Sequence, residues 1–323
     1  MNAFIDALTD AFAHVQQWLF ESAMQPVMFA LGMGGVLEVG FEGTMWFLVG
    51  VLQLLVLLLV IGPLQRLMPF ERITDRATIR TDIAYTLIHR LGVFRLGLFL
   101  TLDPLLDDFF GSLRAQGMGT FHLDQWVLGW IGWESAILGF LVYLVVFDFV
   151  DYWIHRGQHQ LNWWWQLHSL HHAQRQMTMW SDNRNHLLDD LLRDTIFVAV
   201  GVAVGIAPAQ FVALVALTQL SESFQHANVK VWFGSLGERL WVSPRFHRLH
   251  HAVGIGHESS TKALGGHNFG VLLPWWDILF RTGNFEKRFD ATGVRDQIEQ
   301  GRDYGQGFWQ QQWLGLKRLA GKA

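Results

Sequence analysis

The sequence predicts an all-α integral membrane protein: three to four membrane spans, a re-entrant helical hairpin and a cytoplasmic helical cap rich in histidine. Three observations carry this prediction. Only 16% of the 323 residues are charged and 51% are hydrophobic, against roughly 25% charged in soluble domains. Several apolar stretches reach the length needed to cross a bilayer. Third, 15 His and 16 Trp accompany a complete absence of Cys. Without cysteine there is no disulfide, no thiolate nucleophile and no thiolate-held cluster. A net charge of -4 and a pI near 6.4 offer nothing to a phosphate backbone, so nucleic acid is excluded as a partner.

Residues 45–62 (MWFLVGVLQLLVLLLVIG) form the first predicted span, with Gln53 its one polar side chain besides Thr and Ser. A second, residues 83–102, is interrupted by His89, Arg90 and Arg95, which must face protein or water at that depth. Residues 126–150 carry only Glu134 and Asp148 and form a third. The fourth stretch, residues 195–220, is broken by Pro208 after Gly205 and admits one kinked helix or two short arms. No Lys or Arg precedes Arg66, whereas Arg66, Arg72, Arg76 and Arg80 follow the first span directly. The positive-inside rule puts that segment in the cytoplasm. Both flanks of the fourth stretch are then cytoplasmic, which favours a hairpin whose arms, about 13 residues and roughly 20 Å each, dip in without crossing. Before the spans, Phe4, Leu8, Phe12, Val15 and Leu19 recur at helical spacing, the mark of an interfacial helix. The expected organisation is an interfacial region over 1–44, spans over 45–147, a histidine-rich region over 148–283 and an amphipathic tail over 284–323.

Eight histidines fall into three tight groups: His155 and His159 as H-x-x-x-H, then His168, His171 and His172, and His247, His250 and His251, each triplet as H-x-x-H-H. At this His content about 0.03 such triplets are expected by chance; two are present. Positions i, i+3 and i+4 share a helical face, so each triplet is expected to aim three imidazoles at one point. Packing eight uncharged imidazoles together without a partner is costly, and neutral imidazole is the commonest metal ligand. Eight exceed the capacity of one ion, which implies two metals. All-nitrogen ligation suits iron, zinc or copper. Asp151 and Asp148 lie four and seven residues before His155 on its face, where each is expected to accept the outer ring N–H of a ligating His.

These motifs resemble the fatty acid hydroxylase/sterol desaturase superfamily of membrane di-iron oxygenases. The segment from Asp148 to His159 is similar to its first histidine box, Trp165 to His172 to the second, and Ser243 to His251 to the third. His267-Asn268-Phe269-Gly270, followed by Trp276, Asp277 and Phe280, is similar to the tail after that box. The resemblance implies two ferrous ions as cofactor, held on the cytoplasmic face by His155, His159, His168, His171, His172, His247, His250 and His251, with His226 as a ninth ligand. It implies a supporting place for His267 near the metals. Glu222, four residues before His226, is expected to reach iron directly or through water. Arg184-Asn185-His186 resembles the family's Arg-x-His-Pro element with Leu187 in place of proline, which leaves capping, substrate-side and ligating roles open for His186.

The implied reaction is oxygen-dependent hydroxylation or desaturation of a membrane lipid, fed with electrons by a separate ferredoxin- or cytochrome-type donor, in a bacterial inner membrane with the site facing the cytoplasm. Trp163, Trp164 and Trp165 read either as an interfacial belt or, at Trp165, as part of the acyl entrance. Two other functions fit the sequence less well. A membrane zinc hydrolase needs an H-E-x-x-H motif that is absent. A metal transporter or haem-binding membrane protein would place its ionisable residues within the spans.

Overall fold

The computed structural model describes residues 2–94, 103–116, 121–132, 135–253 and 266–323. The described residues are helical, with isolated β-bridges at Pro69–Val229 and Ala252–Thr292 in place of strands. They divide into two compact units: residues 1–56 with 87–116, and residues 57–86 with 117–323.

In the first unit the expected amphipathic segment is α1 (Asn2–Leu19), followed by α2 (Gln25–Ala30). The helix between them widens to a π turn over Phe20–Met24, ahead of Pro26. Proline has no N–H and its ring crowds the carbonyl four residues earlier, so the local widening lets the chain stay helical. The same device recurs in α3 (Gly34–Leu67), where the π turn Leu57–Ile61, at the start of the second unit, precedes Pro63. Gln16 donates to the Phe41 carbonyl (3.0 Å) and Phe20 meets Phe41 edge-on, which docks α1 on α3.

Among the described residues two helices are long and apolar enough to cross a membrane, α3 and Ala136–Gln160. The second expected span begins in α4 (Arg76–Arg90), but its residues 95–102 lie outside the described part of the chain. Next come α5 (Asp103–Ala115) and α6 (Leu123–Ile131).

The third stretch corrects the sequence reading. Instead of one helix over 126–150, α6 ends at Gly132 in the left-handed region (φ 71°), and α7 (Ala136–Gln160) starts anew with Ser135 as N-cap. Helix α7 runs ten residues past the expected end and carries the first histidine pair in its last turns. A single extended residue, Leu161, separates it from α8 (Asn162–His172).

The fourth stretch breaks where Gly205 and Pro208 predict. Helix α9 (Leu187–Val204) is capped by Gly205 (φ 72°), and α10 (Pro208–His226) opens with proline at its first turn. A Cβ at Gly205 would collide with the Phe121 carbonyl, so the close approach as well as the dihedral requires glycine. The arms have 18 and 19 residues, longer than the expected 13. They extend because each outer end is anchored to the histidine cap.

The core of the second unit is built on α7. Tyr143, Leu144, Phe147 and Ile154 pack with Trp164, Phe197, Leu214, Leu272 and Leu273, each large apolar side chain contributing about 1.5–3 kcal/mol on burial. Helix α11 (Pro244–His250) has seven residues, too few to be stable alone. It is held by the Ser243 N-cap, whose Oγ accepts from the Phe246 N–H (3.1 Å), by Pro244 at its first turn, and by the buried Arg245–Glu238 ion pair. The chain continues through α12 (Trp275–Leu279) and α13 (Arg295–Glu299) to α14 (Phe308–Leu319), which packs on α8.

A candidate metal centre of nine buried histidines

All nine predicted histidines come together, in two adjoining buried groups. His155, His159, His168, His172 and His250 form one; His171, His226, His247 and His251 form the other. Within each group the candidate ligand atoms lie within 4.8 Å of one another. The groups abut where the His172 and His251 rings stack at 4.2 Å.

The triplets do not each aim at one point, which corrects the sequence reading. In α8, His168 and His172 enter the five-histidine group and His171 the other. In α11 the division is reversed: His247 and His251 enter the four-histidine group and His250 the five-histidine group. At about 100° per residue, positions i and i+4 are about 40° apart on a helix, whereas i+3 and i+4 diverge by about 100°. Each H-x-x-H-H therefore feeds two centres.

In the four-histidine group the Nε2 atoms of His226 and His171 are 3.2 Å apart, and His247 Nε2 lies 3.1 Å from both His226 Nε2 and His251 Nε2. Two nitrogens about 2.1 Å from one ion and at right angles to each other stand about 3 Å apart. Such spacings fit a shared cation. Among the described residues, His168 Nε2, His172 Nε2, His250 Nε2 and the Nδ1 atoms of His171, His247 and His251 have no hydrogen-bond partner. Burial, reinforced by the neighbouring imidazoles, holds His171, His172, His247 and His251 well below the usual histidine range, and burial takes His250 down to about 3. These rings are neutral and have lone pairs to give. The donor set therefore fits two metal ions, and the absence of thiolate and carboxylate from it suits iron, zinc or copper.

Outer hydrogen bonds fix several rings. His155 Nδ1 donates to the Phe269 carbonyl (2.9 Å), His250 Nδ1 to the His267 carbonyl (2.8 Å) and His226 Nδ1 to the Glu222 carbonyl (2.8 Å). His168 Nδ1 donates to Asp189 (3.0 Å). In each case Nδ1 carries the proton and Nε2 is turned to the centre. Asp189 also accepts from Gln158 Nε2 (2.8 Å) and Trp164 Nε1 (2.6 Å).

Asp189 is the residue that the sequence reading missed. It stands with Asp190 in the first turn of α9, where acidic residues ordinarily serve the helix N-terminus; nothing in the sequence marks one of them as buried beside a ligand.

Neither predicted acceptor takes that place. Asp148 accepts from the backbone N–H groups of Leu272 (2.7 Å) and Leu273 (3.1 Å) and from Trp276 Nε1 (2.9 Å), tying the C-terminal segment to α7. Asp151 is bound in two places by Arg193. The face that Asp148 and Asp151 share with His155 is wide, and their carboxylates meet nearer donors first. Glu222 also turns to Arg193 (3.4 Å) and is a member of neither histidine group; its backbone carbonyl supports the His226 ring.

His186 is a cap. Its Nδ1 accepts from the Leu188 N–H (3.1 Å), and its Nε2 donates to the Gln312 carbonyl of α14 (2.9 Å). His267 supports His250 through its backbone, not its ring. Trp165 is buried, with its ring 5.0 Å from His159 and 5.4 Å from His172, and packs outward on Val294 and Tyr304. It walls the five-histidine group. Of the neighbouring tryptophans, Trp164 is buried and only Trp163 is exposed.

Fold and site together define a helical protein with two adjoining buried groups of imidazoles, each of which could hold a metal ion. Residues 140–282 match the family model described as fatty acid hydroxylase. The ornithine lipid hydroxylase of Rhizobium tropici is 28% identical over 75% of this chain and 70% of its own length. The human alkylglycerol monooxygenase is 28% identical over 51% of this chain, which spans about a third (34%) of that protein. The lathosterol oxidase of Rattus norvegicus is 21% identical over 61% of this chain and 60% of its own. The matched family model and these relatives all lie in the fatty acid hydroxylase/sterol desaturase superfamily, to which residues 140–282, the stretch that holds all nine histidines, are similar. No solved structure matches it.

Proposed function

We propose that this chain is a multi-pass membrane di-iron oxygenase that hydroxylates a lipid, using O2 and two electrons delivered by a separate ferredoxin- or cytochrome-type donor. The observation that carries the proposal is the pair of adjoining buried groups made of imidazole alone. Hydroxylation in place of desaturation is favoured by the matched family and by the name of the relative that is similar over 75% of the chain. The same relative suggests a polar, amino-acid-bearing membrane lipid as substrate class. In the proposed topology α3 and α7 span a bacterial inner membrane and the histidine cap faces the cytoplasm, as the arginines after α3 favour.

The balanced reaction is R–H + O2 + 2 e⁻ + 2 H⁺ → R–OH + H2O. Two iron ions at the histidine groups would supply the oxidising power that breaks an unactivated C–H bond. The protein does the rest. Helices α7, α8, α10 and α11 converge their neutral imidazoles, so that binding cations requires no deprotonation. Asp189 and the carbonyls of Glu222, His267 and Phe269 hold the rings in one tautomer. Trp165 and Phe269, whose rings lie 5.0 and 5.3 Å from that of His159, close the five-histidine side against water.

The testing experiment is elemental analysis of the detergent-purified protein with Mössbauer spectroscopy after iron-57 loading. About two irons per chain with a coupled signal is expected. One zinc per chain would move the reading to a hydrolase, and a metal-free protein from iron-replete cells would overturn it.

A further inference from the structure

We infer that Asn268 is a positioning residue for the five-histidine group: it holds the two backbone carbonyls that orient His155 and His250. The inference rests on the metal-centre reading above. His155 comes from α7 and His250 from the end of α11, yet their Nδ1 atoms meet carbonyls on either side of one residue, those of Phe269 (2.9 Å) and His267 (2.8 Å). A carbonyl only accepts, so each ring is the Nδ1–H tautomer with its Nε2 lone pair left over.

Asn268 itself sits in the left-handed region (φ 60°), fully buried. Asparagine tolerates that conformation better than most residues with a Cβ. Its side chain is consumed by backbone. Nδ2 donates to the carbonyls of Phe246 (3.0 Å) and Asn284 (3.1 Å), and Oδ1 accepts from the Asn284 N–H (2.6 Å). Phe246 lies on α11, the helix that carries His250. The amide thus ties the carbonyl-bearing turn to the helix whose ring that turn orients.

The far side of the turn is held separately. The N–H groups of Phe269 and Gly270 donate to the two oxygens of Asp277 (2.9 and 2.7 Å), and the Thr282 hydroxyl donates to Asp277 Oδ1 (2.6 Å). The turn is built in place without help from the imidazoles, so it can impose ring orientation. Among the described residues no ring of the four-histidine group bonds to a carbonyl of this turn: His226 is oriented by the Glu222 carbonyl of its own helix. Loss of Asn268 should therefore weaken one centre and spare the other, which a general structural role would not do.

The test is titration of the metal-free full-length protein with Co²⁺, followed by visible absorption and stoichiometry. It compares wild type with Asn268→Gly, which keeps the left-handed backbone and deletes the amide, and with Thr282→Val, a milder loosening at a half-buried site. His250→Ala and His171→Ala identify which spectrum belongs to which group. Outer partners of ligating histidines typically set affinity by 10–100-fold. The expected result is a five-histidine site weakened at least about tenfold in Asn268→Gly and less in Thr282→Val, with the four-histidine site at wild-type affinity. Equal weakening of both sites, or wild-type affinity at both, overturns the inference. If Asn268→Gly is not recovered folded, Thr282→Val decides by the same criterion. A wild-type chain that takes up fewer than two ions overturns the metal-centre reading instead, which is a separate result.

Discussion

Replacing Asp189 by Asn tests whether the outer hydrogen bonds govern metal binding. Three donors from two helices converge on this buried carboxylate: Gln158 Nε2 and Trp164 Nε1 on Oδ1, His168 Nδ1 on Oδ2. An asparagine offers one oxygen and one NH2. If the NH2 faces His168, the ring must move its proton to Nε2, the atom that has no hydrogen-bond partner among the described residues and is turned to the metal group. If it faces the other side, two buried donors oppose a third. A buried polar group left unsatisfied costs about 1–3 kcal/mol, and outer partners of ligating histidines set metal affinity by about 10–100-fold, or about 1.4–2.8 kcal/mol. The two routes agree on size. Competition against a chelator of known affinity at pH 7 should show the five-histidine site weakened by that factor, with turnover falling in parallel. Binding within twofold of wild type by a folded variant would refute the assignment of Asp189 and the tautomer argument behind it.

His250→Ala and His171→Ala each remove a ligand from a different group; both should abolish turnover and lower iron toward one per chain while membrane insertion is unchanged, as read by metal analysis of the membrane fraction. His186→Ala deletes the α9 cap and the bond to α14. It should lower stability by about 2 kcal/mol, a cap and a hydrogen bond at about 1 kcal/mol each, and leave metal stoichiometry at two. The metal-free protein should be acid-sensitive. His250, lowered to about 3, and His267, lowered to about 4 and both chiefly by burial, stay neutral in the fold while the unfolded chain takes up protons near 6.5. Their contribution is complete above pH 6.5 and lost as pH falls toward 3, by up to about 1.4 kcal/mol per pH unit for each ring. A denaturant midpoint that is flat between pH 7 and 4 would contradict this.

The helical boxes were legible because imidazoles that converge on one point recur at fixed helical spacings, and spacing is a property of the chain. The nine residues of the two groups could be named from H-x-x-x-H, two H-x-x-H-H triplets and one resemblance. The break at Gly205 and Pro208 was legible for a similar reason, since backbone constraints act locally. The helix boundary at Gly132 was not read, because a glycine inside an apolar run signals a stop only when the next turn is capped, here by Ser135. Asp148 and Asp151 were placed beside the histidines by helical face alone, and Glu222 by its face and the resemblance. A face spans roughly 100° and admits several neighbours, and Arg193 and the Leu272–Leu273 backbone are nearer.

By itself the sequence determined which histidines come together, that the chain is helical, and that more imidazole is present than one ion can bind. Only the tertiary structure decided how those imidazoles are shared. The i+3 member of each triplet parts from its i and i+4 companions: His171 of α8 joins the four-histidine group and His250 of α11 the five-histidine group. Ring orientation was likewise left to the fold. Two of the four assigned acceptors in the five- and four-histidine groups are backbone carbonyls of the turn around Asn268, and a carbonyl is present at every residue. No residue type announces it, and its direction exists only once the chain has folded around it.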